Sequence, residues 1–187
     1  NLPNLIDPSK SVLVLNQTKV FPARLFGQKN TGGKVEILLL KELNLNTWET
    51  MSKPRLKMGQ KINFAQHLKA QVVSENTSKG YSQISFNLSG LELIQKFNQV
   101  GLTPIPPYIN SKQSEAKLRK QYQTVYAKKL GSSAAPTAGL HFTQSLLKKL
   151  INLGIQIEYI TLHVGPGTFQ YLHPENIKTK TLHSEEF

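Results

Sequence analysis

The sequence has no cysteine, which excludes disulfides, thiolate nucleophiles and cysteine-bearing metal clusters. Aspartate is almost missing too: of 11 acidic residues only Asp7 is an aspartate. No apolar run approaches the roughly 20 residues that cross a bilayer as a helix, and the start shows no secretory apolar region. A cytoplasmic protein with no membrane partner is expected. A phosphate loop is lacking as well. Gly165-Pro-Gly-Thr168 has neither the Gly-Lys-Ser/Thr ending of a Walker loop nor the G-x-G-x-x-G spacing, so nothing points to ATP hydrolysis. The five histidines (His67, His141, His163, His173 and His183) match no short zinc spacing, and no metal is expected.

Positive charge, by contrast, is abundant. Lys and Arg number 23 against the 11 acids, giving +12, and lysines run from Lys10 to Lys180 with a dense stretch from Lys112 to Lys129. Charge spread over a folded body suits a polyanion-binding face. An AT-rich genome, in which Lys, Asn and Ile rise together, produces the same bias. With 187 residues the chain is long enough for one domain or two small ones. Val12 to Leu15 reads as a buried strand very near the start and His183 to Phe187 has no terminating signal, so a fragment of a longer protein is expected.

Short strand-like stretches follow one another: Lys34 to Leu40, Gln60 to Phe64, Lys69 to Ser74 and Tyr81 to Leu88, the last with Ile84, Phe86 and Leu88 alternating with polar neighbours. With Gly or polar turns between them, these strands predict a small antiparallel barrel or sandwich over 23–103. Leu91, Ile94, Phe97 and Val100 form a helical stripe stopped by Gly101. Pro104-Ile-Pro-Pro-Tyr108 is a stiff connector and reads as a domain junction. The basic stretch Glu115 to Leu130 is helical in pattern. Thr143 can cap a helix bearing Leu146, Leu147, Leu150 and Ile151, ended by Gly154, before a strand from Ile155 to Leu162. The expected fold is a mixed α/β layered domain, 1–22 with 104–187, into which the small antiparallel β-barrel 23–103 is inserted.

Two segments rich in small residues stand out, Gly131 to Thr143 and Thr161 to Phe169. Small residues allow close backbone approach, so Gly139, Leu140, Gly165, Gly167 and Thr168 are candidates to line a small-molecule pocket. His141 and His163 sit within them, either at a pocket rim or hydrogen-bonded to the backbone of a tight turn. Tyr122 and Tyr126, four apart, share a helix face; they either stack on a base or pack the helix against a sheet. Arg119, Lys120, Lys128 and Lys129 then reach phosphate.

Taken together, Val14 to Gly27, Thr31 to Leu40, Pro104 to Ile109, Tyr122 to Ala127, Ala134 to Thr143 and Thr161 to Phe169 resemble the S-adenosylmethionine:tRNA ribosyltransferase-isomerase family of queuosine biosynthesis. The resemblance runs in family order over nearly the whole chain. It implies an α/β domain with an inserted barrel, S-adenosylmethionine as substrate and not cofactor, and tRNA as partner; a monomer is expected. The implied reaction moves and isomerises the donor's ribosyl group onto 7-aminomethyl-7-deazaguanine at the wobble position, giving epoxyqueuosine-tRNA. On this resemblance Gln17, His141 and His163 are candidate catalytic residues, and Lys19 and Arg24 join the RNA-binding set. Gln17 and Lys19 stand where the family usually has Asp and Arg, Ser111 where it usually has Arg, and Leu118 and Lys120 where it commonly has acids. Lys19 keeps charge without the guanidinium fork. A catalytically weak or inactive tRNA-binding relative is the alternative expectation.

Overall fold

Alternation of inward apolar and outward polar side chains builds the larger part of the molecule, a closed barrel of antiparallel strands. In this computed structural model, which describes residues 2–76, 80–106, 109, 111–165 and 174–181, the chain divides into two units. One comprises Asn1–Val20 with Lys120–Phe187, the other Phe21–Arg119. The first contains β1 (Val12–Asn16), β2 (Thr18–Val20), β9 (Lys129–Ser132) and β10 (Gln156–Ile160). The second contains β3 (Arg24–Lys29), β4 (Lys34–Asn44), β5 (Thr47–Lys53), β6 (Lys61–Phe64), β7 (Lys69–Asn76) and β8 (Tyr81–Phe86). Of the helices, α1 (Gly90–Val100) falls in the second unit, α3 (Gln144–Asn152) and α4 (Pro174–Thr179) in the first, and α2 (Glu115–Gln121) lies in the second up to Arg119.

The barrel closes in the order β3-β4-β5-β8-β7-β6. Closure leaves no open sheet edge. Leu25, Ile37, Leu39, Ile62, Val72 and Ile84 fill its interior at 2% exposure or less. A run of rings crosses this core: Phe21 on Trp48, Trp48 edge-on to Phe97, Phe97 edge-on to Phe86, and Phe86 near Phe64, with centroids 5.1 to 6.1 Å apart. Helix α1 joins this core through Leu93 and Phe97, with Ile94 and Val100 half-buried against it. Leu91, expected in the same stripe, is exposed instead. The inward face is set by the i, i+4 pair Leu93/Phe97, and Leu91 falls outside it in the first turn.

After α1 the chain is tied back to the barrel. Leu102 and Arg24 exchange backbone hydrogen bonds, and Glu115 accepts from the Thr103 amide and hydroxyl at 2.8 Å each. The Arg119 guanidinium donates to the Asn98 and Gly101 carbonyls. These bonds explain why residues 104–119 cluster with the barrel, beyond the Pro-rich junction. The basic helix ends early. Where Glu115 to Leu130 reads as one helix, α2 stops at Gln121, because Gln123 turns away to pair its amide with both Val20 N and Val20 O.

In the first unit β1 pairs with β10 and β2 with β9, both in parallel. Thr143 caps α3 by accepting from Leu146 N at 3.1 Å. The helix buries Leu147 and Leu150 and leaves Ile151 exposed, and Gly154 follows with φ of +86°.

Gly101 is the tightest backbone approach of the barrel unit: a side chain there would overlap the carbonyl oxygens of Pro22 and Phe97. Since neither oxygen belongs to a flexible side chain, Gly101→Ala should cost about 1–3 kcal/mol. A lowered urea midpoint with unchanged slope is the expected result, and an unchanged midpoint would show that the backbone yields freely.

Candidate active site at the carboxyl end of the parallel strands

Where β1 ends, the chain changes partners within one residue. Gln17 N donates to Ile160 O at 2.9 Å, the last residue of β10, while Gln17 O accepts from Lys128 N at 2.8 Å and Lys129 N at 3.1 Å. Loops at the carboxyl ends of parallel strands are where such sheets bind ligands. Three consecutive side chains fasten the loop that follows β10. Asn16 brackets Leu162, donating to its carbonyl at 2.8 Å and accepting from its amide at 3.1 Å. Gln17 donates to the Thr161 hydroxyl at 3.2 Å. Thr18 Oγ1 lies 2.8 Å from His163 Nδ1.

The last contact fixes a tautomer. Thr18 is fully buried, and His163 Nδ1 is its side chain's only hydrogen-bond partner among the described residues. If Nδ1 carried the proton, the hydroxyl hydrogen would be buried without an acceptor, at a cost of about 1–3 kcal/mol. The hydroxyl therefore donates to Nδ1, and the neutral ring holds its proton on Nε2. Gly131 fixes the ring plane. Its φ is +152°, and a Cβ built on it would lie 2.5 to 2.9 Å from His163 Cε1, Nε2 and Nδ1, so only glycine lets the ring lie flat on the strand. Ser132, fully buried, accepts from Val164 N at 2.9 Å and donates to the Ala134 carbonyl at 2.6 Å. The 131–135 and 162–164 segments are thus stitched together, with His163 half-buried and its Nε2–H accepted by no described residue.

The second small-residue element is the 3₁₀ turn Thr137–His141. A Cβ at Gly139 would overlap the Tyr126 hydroxyl and the Thr124 methyl, so the glycine makes room for the protein's own ring. Tyr126 packs edge-on to Phe142 and tilted against Tyr159, at 6.2 and 6.1 Å. Burial, reinforced by the neighbouring Tyr159, raises the Tyr126 pKa above the ordinary phenol value. Leu140 is half-buried, and His141 is exposed with no side-chain hydrogen bond among the described residues.

The remaining candidate residues separate by environment. Lys19, on β2, is exposed opposite Leu130, and Lys128 and Lys129 are exposed at the start of β9, so these three gather at one strand pair. Lys120 is exposed one residue before the end of α2. Arg24 is ion-paired with Glu36 at 3.0 Å and donates to Ile105 O, and Arg119 is paired with Glu115 at 2.8 Å. Both guanidiniums are engaged within the barrel unit. Tyr122 is buried, and it shares no helix face with Tyr126 because α2 has already ended. Gly165 is half-buried; Gly167 and Thr168 lie outside the described residues, as do Tyr108, His173 and His183. No group of three or more metal-ligating side chains occurs among the described residues, nor any helix long and apolar enough to cross a membrane.

Parallel strands ending in a histidine-bearing loop, with helices and an inserted closed antiparallel barrel, define a mixed α/β protein with a candidate ligand site at its strand ends. Over all of residues 1–187 the chain matches the family described as queuosine biosynthesis protein, and it belongs to that family. It is 43% identical over 190 residues to an S-adenosylmethionine:tRNA ribosyltransferase-isomerase of Halothermothrix orenii. The match covers 100% of this chain and 54% of the relative, so the chain spans about half the length of that curated relative. A crystal structure of S-adenosylmethionine tRNA ribosyltransferase from Thermotoga maritima is similar at 25% identity and a TM-score of 0.34, covering 88% of this chain and 44% of that one.

Two outcomes test this geometry. Imidazole ¹⁵N spectra should show His163 protonated at Nε2 in the unmodified protein and in Thr18→Ser, and a mixture of tautomers in Thr18→Val; a pure Nε2–H form in Thr18→Val would remove Thr18 from the account. Separately, because Tyr126 holds its proton more tightly when folded, its share of the stability is present below the free phenol value of about 10 and is lost as pH rises through the folded value. Alkaline denaturation should therefore be less steep in Tyr126→Phe.

Proposed function

We propose that the protein transfers and isomerises the ribosyl moiety of S-adenosylmethionine onto 7-aminomethyl-7-deazaguanine at the wobble position of tRNA. Epoxyqueuosine-tRNA forms, and adenine and methionine leave. Membership of the queuosine family over the full 187 residues is the observation that carries this reading. In it, His163 offers its Nε2–H to the donor, a role consistent with a ring held in place before any ligand arrives. Leu140 and Gly165, with Gly167 and Thr168 from the same small-residue segment, are the main-chain candidates to meet the donor, while Gly139 makes room for Tyr126. Gln17 holds the loop through Thr161, and Lys19, Lys120, Lys128 and Lys129 meet RNA phosphate, which positions a large substrate without reading its sequence. The protein works as a monomer in the cytoplasm.

Gln17 favours a second reading, tRNA binding with weak turnover. An amide hydrogen-bonds Thr161 well but cannot accept a proton as a carboxylate does. The test is adenine release from S-adenosylmethionine in the presence of tRNA carrying the deazaguanine precursor, comparing the unmodified chain, Gln17→Asp and His163→Ala. Turnover lost in His163→Ala supports the enzyme. Turnover that rises at least tenfold in Gln17→Asp supports the weakened relative. Release of adenine equal in all three chains would overturn both roles.

A further inference from the structure

The barrel carries a groove of about 610 Å³ on its outer surface, formed by β6, β7 and β8 and the turn after β3. Register explains its lining. Ile62, Ala70 and Phe86 point into the core, so their neighbours point outward in two cross-strand rows. One row runs Asn30, Lys61, Gln71, Ser85; the other runs Asn63, Lys69, Asn87. Each row thus contains one ammonium among neutral hydrogen-bonding groups. The two lysines are diagonal neighbours on adjacent antiparallel strands, about 7–8 Å apart at the backbone.

No carboxylate lines this groove, and neither lysine is ion-paired among the described residues. Acids of the barrel lie elsewhere: Glu36, Glu42 and Glu49 on β4 and β5, and Glu75 toward the far end of β7, where it accepts from Met58 N. Two ammoniums facing one acid-free groove repel each other, and an anion between them relieves that repulsion. Several groove amides are held within the barrel, Asn63 donating to Asn30 at 3.0 Å and Asn87 accepting from Lys69 N and donating to His67 O, so the Ser85 hydroxyl and the second amide hydrogens are what remain for ribose hydroxyls and phosphate oxygens. The only aromatic ring at the groove, Phe86, faces the core, so base stacking is not on offer there.

We propose that this groove is a second RNA-contact surface, gripping the sugar-phosphate backbone of the tRNA in a sequence-independent way. The proposal rests on tRNA being the substrate, as argued above, and extends recognition to the inserted barrel.

The experiment measures binding of an unmodified tRNA transcript over a salt series. It compares the unmodified chain with Lys61→Ala/Lys69→Ala, with the charge reversal Lys61→Glu/Lys69→Glu, and with a control pair, Lys53→Ala/Lys96→Ala, that lies outside the groove. Folding of each is checked by circular dichroism. Loss of two phosphate contacts should lower the slope of log affinity against log salt by about 1.4 to 1.8. The reversal should weaken binding further, and the control should do neither. If the groove variants keep the slope and affinity of the unmodified chain, or fall only as far as the control, the groove is not an RNA surface, while the proposed function stands. If the unmodified chain binds no tRNA at any salt, the functional reading fails and takes the groove with it.

Discussion

Asn16, Gln17 and Thr18 hold the functional end of the first unit together. Their side chains reach Leu162, Thr161 and His163, between 144 and 146 residues further along the chain. Strand pairing alone leaves the loop after β10 without fixed direction, because β10 ends at Ile160. The three side chains supply that direction, and the shared partner at Gln17 lets β1 end against β10 and β2 begin against β9 with no break in backbone hydrogen bonding. Thr18 then sets which nitrogen of His163 holds the proton. Orientation, tautomer and strand order all follow from one short run of polar residues.

The length of the closed loop is less of a burden than it looks. Loop-closure entropy grows only logarithmically, by about 0.6 kcal/mol per doubling of length, so an inserted barrel adds little to the cost of bringing β1 and β10 together. The barrel also supplies its own stability: its core cluster consists of residues between Phe21 and Phe97. Glu115 and Arg119 hold the return segment against that same unit. An insertion that folds on its own contacts leaves the parallel pair free to be specified by its own polar residues.

Much of this was legible in the sequence, for reasons that differ by element. β8 shows strict alternation of Ser82, Ile84 and Phe86 with half-exposed neighbours, and α3 announces itself by Thr143 and by Leu147 and Leu150 one turn apart. In both, local pattern and final burial agree. The segment after Gln121 misled because its composition suits a helix, while its fate is decided at a distance, by Gln123 bonding Val20. β5 carries little signal because Glu49, Met51 and Ser52 disguise the inward residues Trp48 and Thr50. Thr18 gives no signal, and Gly131 and Ser132 show only as part of a small-residue segment, because the role of each depends on its partner at 163 or 164.

The glycines of the small-residue segments show why such loops are ambiguous when read alone. A backbone stripped of side chains admits a close neighbour, but nothing in the sequence says whether that neighbour is a ligand or the protein itself. At Gly131 it is the His163 ring, and at Gly139 it is the Tyr126 ring. Space at both glycines is therefore already filled, and recognition shifts from the main chain to the groups these glycines support. His163 presents a fixed Nε2–H. Tyr126, its pKa raised by burial, stays a neutral hydroxyl donor at physiological pH. At neither glycine is the main chain open to a ligand, so recognition in these segments falls to side chains or to positions other than these two.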